Sequence, residues 1–561
     1  MIKFNDPRQT LIFDRFESLL NPKQRARLEK DWPGVFRKVI LALMPVAEMG
    51  QKLNTCLGRP SQELYSICGL ILLKEYFGWT DEMAAQKYSY DLMVQYALNI
   101  QGDQQDISER TFQRYLKYFR EKELGVELNL EVTRKVLSEL NIKVGSQRLD
   151  STHVFSDMAS WGRIQLMANI IKRFLVQINK HENTLYYQIP EELRERYSKN
   201  MSWIFGAPGK QNTRYGNHIC SNKEQTGWDM QRLIERFEGN ERIVNMLVFK
   251  DLVRVFNEQC LIDDGKVKIR EKTGGEALIN PSDRDAAWGH KGPGYQVQVS
   301  QTCDRDNLVQ VVTALRPETG SASDQNAVMK MIDLAEAAGA KPASLLADAG
   351  YGSDENVISA AGEDVKLVAP ATGSKDGKFG LEDFTFDDKK RIVKCPCGHA
   401  PMSKKFDGTS GTAVFYANVC GACPKLNNCP SSKSGNNYVV KYDAKKLRLK
   451  DRRIFEKTDE FKKEYSPRSG IEPLFGRMKQ YGPLRCLAVC GKKAVYNALY
   501  MIFAGHNIMQ LARYYKLLSK GANKRNKKTV SPVPSSAFCS FFCLGRAFSV
   551  LIVSMQAFRA A

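Results

Sequence analysis

The chain reads as a mixed fold of the α+β or α/β class, and three observations predict it. Apolar residues at helical spacing, with few breakers, run through roughly the first 145 residues. Short strand-like runs then alternate with helical patterns through the centre. Its 561 residues also exceed what one hydrophobic core holds, so about two to four structural units are expected.

The elements follow in order. ELYSICGLILLKEYFGW and DLMVQYALNI carry helical apolar spacing. DISERTFQRYLKYFREKEL opens with a capping candidate, Asp106 or Ser108, then sets Arg110, Arg114, Lys117 and Arg120 beside Phe112, Tyr115 and Phe119. A basic, aromatic-laced helix after a short turn suits a helix-turn-helix recognition helix and suits an ordinary surface helix equally well. SQRLDSTHVFSDM reads as a strand carrying Asp150. From about 160 to 260 helical patterns return, as in IQLMANIIKRFLVQI and MQRLIERFEGNERIVNMLVFKDLVRVF. Alternation resumes in GYQVQVSQTC and NLVQVVTAL. DQNAVMKMIDLAEAAGA is a helix leading into ASLLADAGYGS, a buried strand that meets a loop at Asp348, and VKLVAP is a further strand. Residues from about 371 to 450 are polar, rich in Gly and Lys, and hold a cysteine cluster. EYSPRSGIEPLFGRMKQYG and KKAVYNALYMIFAGHNIMQLARYY follow as helices.

Composition narrows the partners. Hydrophobic content of 43% and charged content of 26% are ordinary for a soluble globular chain, but 83 basic against 62 acidic residues leave a net charge of +21. That excess favours a polyanion, nucleic acid first and an anionic membrane second. The opening MIKFNDPRQT is polar, which reads as no signal peptide and a reducing cytosol, where clustered cysteines bind metal more often than they pair. Six histidines give little support to a histidine-based hydrolase. The last residues are apolar, but Arg546 interrupts them, so an appendage is expected rather than a membrane span. The basic run Lys520, Lys524, Arg525, Lys527 and Lys528 before it reads as a solvated linker or a phosphate-contacting arm.

Three acids carry the candidate chemistry. Asp150 and Asp348 belong to apolar strands, where an ionised side chain is unfavourable without a partner. Glu472 lies between Arg468 and Lys479, with Tyr465 upstream. On an ideal helix the last three would fall within roughly 40° of one another, beside an apolar stripe of Ile471, Leu474, Phe475 and Met478. Pro473 moves the expected helix start to Ser469 or Gly470 and leaves Tyr465 and Arg468 on the incoming loop. Carboxylates that converge repel unless divalent cations join them, and two such ions about 4 Å apart support phosphoryl transfer. The bland alternatives are a capping box of Ser469 and Glu472, and salt-bridged or solvated acids, with Asp157, Asp354 and Glu355 as equal choices by eye.

Taken in order, LDSTHV, LLADAGYGS and YSPRSGIEPLFGRMK resemble the DDE transposases of bacterial insertion sequences, whose catalytic core is RNase H-like. Tyr465, Arg468, Glu472 and Lys479 fit the Y-x2-R-x3-E-x6-K signature of the YREK-bearing branch at all four positions. GHKGPGYQVQVS and the helical N-terminal segment are also similar to one large transposase group, and the similar pieces span most of residues 50 to 515.

The resemblance implies a helical DNA-binding domain over 1–145, with Arg110 and Arg114 as DNA contacts, and an RNase H-like core over 146–518 with a mixed sheet and flanking helices. Insertions would fill about 160–260 and 371–450, and 519–561 would be a basic linker and apolar tail. Asp150, Asp348 and Glu472 would bind two Mg²⁺ or Mn²⁺ ions, while Tyr465, Arg468 and Lys479 contact DNA near the cut end. The partners implied are double-stranded DNA, at terminal inverted repeats and targets, and a second copy in a homodimer on paired ends. No membrane is expected, and the location implied is the bacterial cytoplasm, on the nucleoid. A DNA-binding protein without catalysis and an RNase H-like metal nuclease remain the alternatives.

Cys395 and Cys397 form C-x-C, with His399 two positions on, and Cys420, Cys423 and Cys429 form C-x2-C-x5-C. Four such ligands suit tetrahedral Zn²⁺. Reduced cysteines in a loosely packed loop are the other reading.

Overall fold

The computed structural model describes residues 1–561 except 1, 4, 10–12, 52, 54–59, 103–105, 199–214, 374–376 and 526–561, with backbone alone for 215–221 and 520–525. The apolar tail and most of the basic run before it lie outside the described residues. The chain divides into two units, 1–514 and 515–561, and the sites below lie in the first.

The N-terminal part is helical. Helix α1 (Leu64–Phe77) starts where the Glu63 carboxylate accepts from the Tyr65 and Ser66 amides, and ends at Gly78, whose φ of 67° suits a residue without Cβ. Nearly every face of it is buried. Helix α2 (Glu109–Glu121) is capped by Ser108 and turns Phe112, Leu116 and Phe119 inward. Its Arg120 reaches Glu75 of α1 at 2.8 Å. Helix α3 (Leu124–Glu139) docks this layer on the rest of the unit: Asn129 donates to the Tyr500 carbonyl at 2.9 Å, and Asn507 donates to the Thr133 hydroxyl at 3.2 Å.

The central sheet begins with β1 (Ser146–Val154). A helical unit follows, of α4 (Arg163–His181), α5 (Tyr215–Phe237) and α6 (Leu247–Gln259), closed over Met167, Ile171, Phe174, Leu233 and Leu252. Then come β2 (Gly292–Thr302), β3 (Val312–Thr319), α7 (Val328–Ala337), β4 (Ser344–Leu346), α8 (Asp354–Gly362) and β5 (Lys366–Val368). The order across the sheet is β3-β2-β1-β4-β5, with β2 antiparallel to both neighbours and β4 and β5 parallel to β1. Asp150 stands opposite Val299 in this register.

A smaller antiparallel sheet fills the cysteine-bearing insertion, in the order β6 (Ser403–Phe406), β7 (Ser410–Tyr416), β9 (Asn437–Asp443), β8 (Ser432–Ser434). Read from sequence as a polar insertion with zinc or a loosely packed loop as the two possibilities, it folds around Ala413, Phe415, Val440 and Tyr442. Alternation hidden among lysines and glycines supplies that core. Helices α9 (Ala444–Phe455), α10 (Asp459–Tyr465), α11 (Ile471–Gln480) and α12 (Lys492–Arg525) follow and end the described residues.

Apolar clusters cover both faces of the central sheet. Val154, Tyr295, Val297 and Val299 pack with Ile471, Leu474, Phe475 and Leu499 from α11 and α12. Leu149 and Leu345 pack with Val328, Met331 and Ala360 from α7 and α8. Side chains alternate along a strand, so Asp150 shares the parity of Val154 and faces the α11 side. Among the described residues no helix is long and apolar enough to cross a membrane.

Candidate active site

Each acid reaches the site by a different element. Asp150 lies within β1, Asp348 two residues past the end of β4, and Glu472 in the first turn of α11. One guanidinium joins them. Arg468 Nη2 lies 3.2 Å from Asp150 Oδ2 and 3.5 Å from Asp348 Oδ2, and Nη1 lies 3.0 Å from Glu472 Oε1. The acids are not equally open, since the Asp150 side chain is 13% exposed and that of Glu472 63%.

The turn that carries Arg468 differs from the sequence expectation. Tyr465 ends α10 and Arg468 sits in a 3₁₀ turn, Ser466–Gly470, rather than on an open loop. Helix α11 begins at Ile471, one or two residues later than expected, and no side chain caps it, so the Ser469–Glu472 capping box does not form. Glu472 takes the Arg468 guanidinium instead. Pro473 stands in the first turn, where its missing N–H has no helical acceptor to lose.

Arg148, which the sequence reading passed over, ties the turn to the sheet. Its Nη1 donates to the Pro467 carbonyl at 2.9 Å, while Nε and Nη2 donate to Gln301 Oε1 at 3.1 and 2.6 Å. A Cβ on residue 470 would stand 1.9 Å from Arg148 Nη1, which accounts for Gly470. Two residues separate Arg148 from Asp150 along β1, so this tie also fixes where Arg468 meets the acid.

Burial pushes the Asp150 carboxyl up to about 6; Arg468 and the Ser151 amide pull it down, and Asp348 and Asp324 push it further up. Asp324 is a second residue that the sequence reading missed. It accepts from Gln298 Nε2 at 2.7 Å, and a Cβ on Gly350 would lie 3.0 Å from Asp348 Oδ1 and 3.9 Å from Asp324 Oδ2. Behind them the fully buried Tyr351 hydroxyl donates to Gln298 Oε1. The only signals for these residues were an acid just before a helix pattern and the tyrosine of DAGYGS.

Other expected site residues lie around this centre. Tyr465 is stacked on Phe461, with centroids 5.2 Å apart and planes at 14°. Its phenol is pushed up by burial; Arg468 opposes that shift, and Asp348 and Asp150 add to it. Lys479 lies seven residues beyond Glu472 on α11, with its ammonium pKa lowered by burial and by Lys291. Arg110 and Arg114 are exposed on α2, and among the described residues no contact links them to the acids.

The chemistry of three carboxylates gathered on one cation, the most buried of them reluctant to ionise, fits a hard divalent ion. Their present spacing does not: among the described residues no group of three or more His, Cys, Asp or Glu side chains is placed to hold a metal ion. Arg468 takes up the position between the acids.

The insertion gathers its five cysteines. Cys395, Cys397, Cys420, Cys423 and Cys429 line one cavity of about 30 Å³ with His399. All five are free thiols, and Cys397 Sγ lies 3.6 Å from Cys423 Sγ. Burial, then the surrounding thiols, push Cys420 up to about 11. Cys395, Cys420 and Cys429 pack against the apolar core of the insertion.

Residues 394–512 match the family described as transposase DDE domain. That span holds the cysteines, Tyr465, Arg468, Glu472 and Lys479, while Asp150 and Asp348 lie before it. No curated protein and no solved structure matches the chain. A transposase DDE domain, consistent with an enzyme that acts on DNA, is therefore present in part of this chain, within a mixed α/β core consistent with an RNase H-like fold.

Proposed function

We propose that this chain is a DNA transposase that cuts at insertion-sequence ends and joins the freed 3′-hydroxyl to target DNA. The observation that carries the reading is the meeting of three acids, 322 residues apart at the extremes (472 − 150), on one guanidinium. In the first step water attacks a phosphorus at the element end and the bond to the 3′ oxygen breaks. That oxygen then attacks a target phosphorus and displaces the target's own 3′ oxygen, so one phosphodiester is exchanged for another.

Asp150, Asp348 and Glu472 would hold two Mg²⁺ or Mn²⁺ ions. Such ions supply an activated nucleophile and a stabilised leaving oxygen. Arg468, released from the carboxylates, turns its fork to the phosphate, a geometry guanidinium suits. Tyr465 and Lys479 hold the strand beside it, and Arg110 and Arg114 meet duplex phosphates at a distance from the cut. The net charge of +21 favours that encounter. A homodimer would act on paired ends in the bacterial cytoplasm. In the insertion, four of the cysteines would bind a structural Zn²⁺ by drawing closer than they stand, since among the described residues no three of them are placed to hold a metal ion.

A second reading, a DNA-binding protein without catalysis, is favoured by the guanidinium that already pairs with all three acids. A strand-transfer assay with Mg²⁺ and the DNA ends flanking the gene separates the two. Joined products support the transposase; wild type that binds those ends without cutting supports the second reading; nicks without joining point to a nuclease.

A further inference from the structure

We propose that a groove beside the acids, walled by the end of β1, by α11 and by Arg485, with the turn before β2 packed behind Phe155, receives the DNA strand next to the cut, with one phosphate held by Lys479 and Lys291 and one base stacked on Phe155. The proposal rests on the transposase reading above and adds residues to it.

The groove has a volume of about 390 Å³ and is lined by His153, Phe155, Gly476, Lys479, Gln480 and Arg485. No carboxylate is among them. Phe155 follows β1 with its backbone held on both sides: its N–H donates to the Arg485 carbonyl at 3.3 Å, and the Leu487 N–H donates to the Phe155 carbonyl at 2.9 Å. The ring meets His153 edge to face at 4.8 Å and is 38% exposed. A lone exposed aromatic is commonplace. This one is fixed in place and borders a cationic cavity, the pairing that single-stranded DNA uses.

The turn at 289–292 brings in the second cation. Strand residues Ala287–Gly289 pair back on 292–294, which leaves Lys291 at the tip. Gly292 has a φ of 129°, and a Cβ there would lie 3.2 Å from the Phe155 ring. Gly294 has a φ of 139°, and its Cβ would lie 2.5 Å from the Val154 carbonyl oxygen. Only glycines let the turn lie this close to the end of β1, and that approach brings the tip residue Lys291 to the side of Phe155, which lines the groove with Lys479. Both Lys479 and His153 feel it, since each has its pKa lowered by burial and by nearby lysine charge. Among the described residues Lys291, Lys479 and Arg485 have no carboxylate partner. A half-buried ammonium beside another cation is unfavourable until an anion joins them.

Lys479 lies seven positions beyond Glu472 on α11, about 10 Å of rise, so a strand held at the acids passes the groove within a few nucleotides. Gly476 lies between them on the same face, and a Cβ there would meet nothing within 4 Å, so the path is open. Because every base has a π-face, the groove would hold the strand without reading its sequence.

The test uses the full chain carrying Asp150→Asn, so that DNA is held and not cut. The probe is a short duplex with a single-stranded 3′ extension, in which one base is a fluorescent adenine analogue whose emission falls on stacking. We expect quenching that depends on the position of the analogue. Phe155→Leu should abolish it and weaken binding about tenfold, and Phe155→Trp should restore it. Lys291→Ala should reduce the salt dependence by about one phosphate contact. Thermal unfolding of each variant reports its fold. Unchanged quenching and affinity in Phe155→Leu, or an unchanged salt slope in Lys291→Ala, would overturn the groove while leaving the transposase reading intact. Wild type that neither binds nor cuts this DNA would overturn both.

Discussion

Acid should release divalent metal from this site well above the pH at which an ordinary aspartate protonates. Asp150 is held up at about 6, mainly by burial, against an ordinary value of 3.8. Lowering the pH from about 7.5 to about 5 takes its ionised share from nearly all to roughly one tenth, while an aspartate at 3.8 would stay more than nine-tenths ionised. Mn²⁺ affinity should therefore fall about tenfold, or about 1.4 kcal/mol, over that interval. Titration calorimetry in two buffers of different ionisation enthalpy measures the affinity and the protons released, about one half per site near pH 6. Asp150→Asn should bind weakly at both values and release no such proton. An affinity that stays level down to about pH 5 would refute the reasoning, because it would mean that burial does not oppose the charge. The same difference has a sign in stability. A raised acid binds its proton more tightly in the native state, so its stabilising contribution is complete below 3.8 and is lost as pH rises through about 6. The loss is about 3 kcal/mol for the metal-free protein, taking 6 less 3.8 at about 1.36 kcal/mol per pH unit.

Asp150→Asn, Asp348→Asn and Glu472→Gln should each lower cleavage by about a thousandfold or more with DNA affinity nearly unchanged, as read by gel assay and filter binding; cleavage retained in any of them removes that residue from the site. Lys479→Ala should weaken end binding and flatten its salt dependence by about one contact, and an unaltered slope would count against a phosphate role. Metal analysis should find about one zinc per chain, falling in Cys420→Ala, whereas a zinc-free, well-folded protein would remove that ion from the account. Phe119→Ala, at a fully buried position of α2, should cost about 3–5 kcal/mol in denaturant unfolding; a cost under about 1 kcal/mol would mean that α2 is not anchored by that ring.

The sequence offered candidates for the site rather than the site itself. An acid inside an apolar strand pattern is conspicuous because desolvation opposes it, but Asp157, Asp354 and Glu355 were equal choices by eye, and only the family resemblance singled out Asp150 and Asp348. Glu472 was found by its neighbours, at spacings that a helix turns into proximity. Arg148, two positions before Asp150 on the same strand, carried no local signal of its own; only the register that sets it beside Gln301 and under the Pro467 carbonyl reveals its task. Asp324, Tyr351 and Gln298 were missed for the same reason, since they meet only after three separate segments have packed. The small sheet of the insertion was not read from the sequence because its lysines and glycines outnumber the few alternating residues that build its core.

Local periodicity, capping residues and turn glycines depend on near neighbours along the chain, and these determined where helices and strands form and which acids sit uneasily in them. Whether those acids meet was decided by long-range pairing: the alignment of β4 along β1, and the docking of α11 on the face that Asp150 shares. Such pairings are selected by buried area and hydrogen-bond register summed over residues hundreds of positions apart. The arrangement of three carboxylates around Arg468 therefore belongs to the folded molecule, although every side chain in it could be read from the sequence.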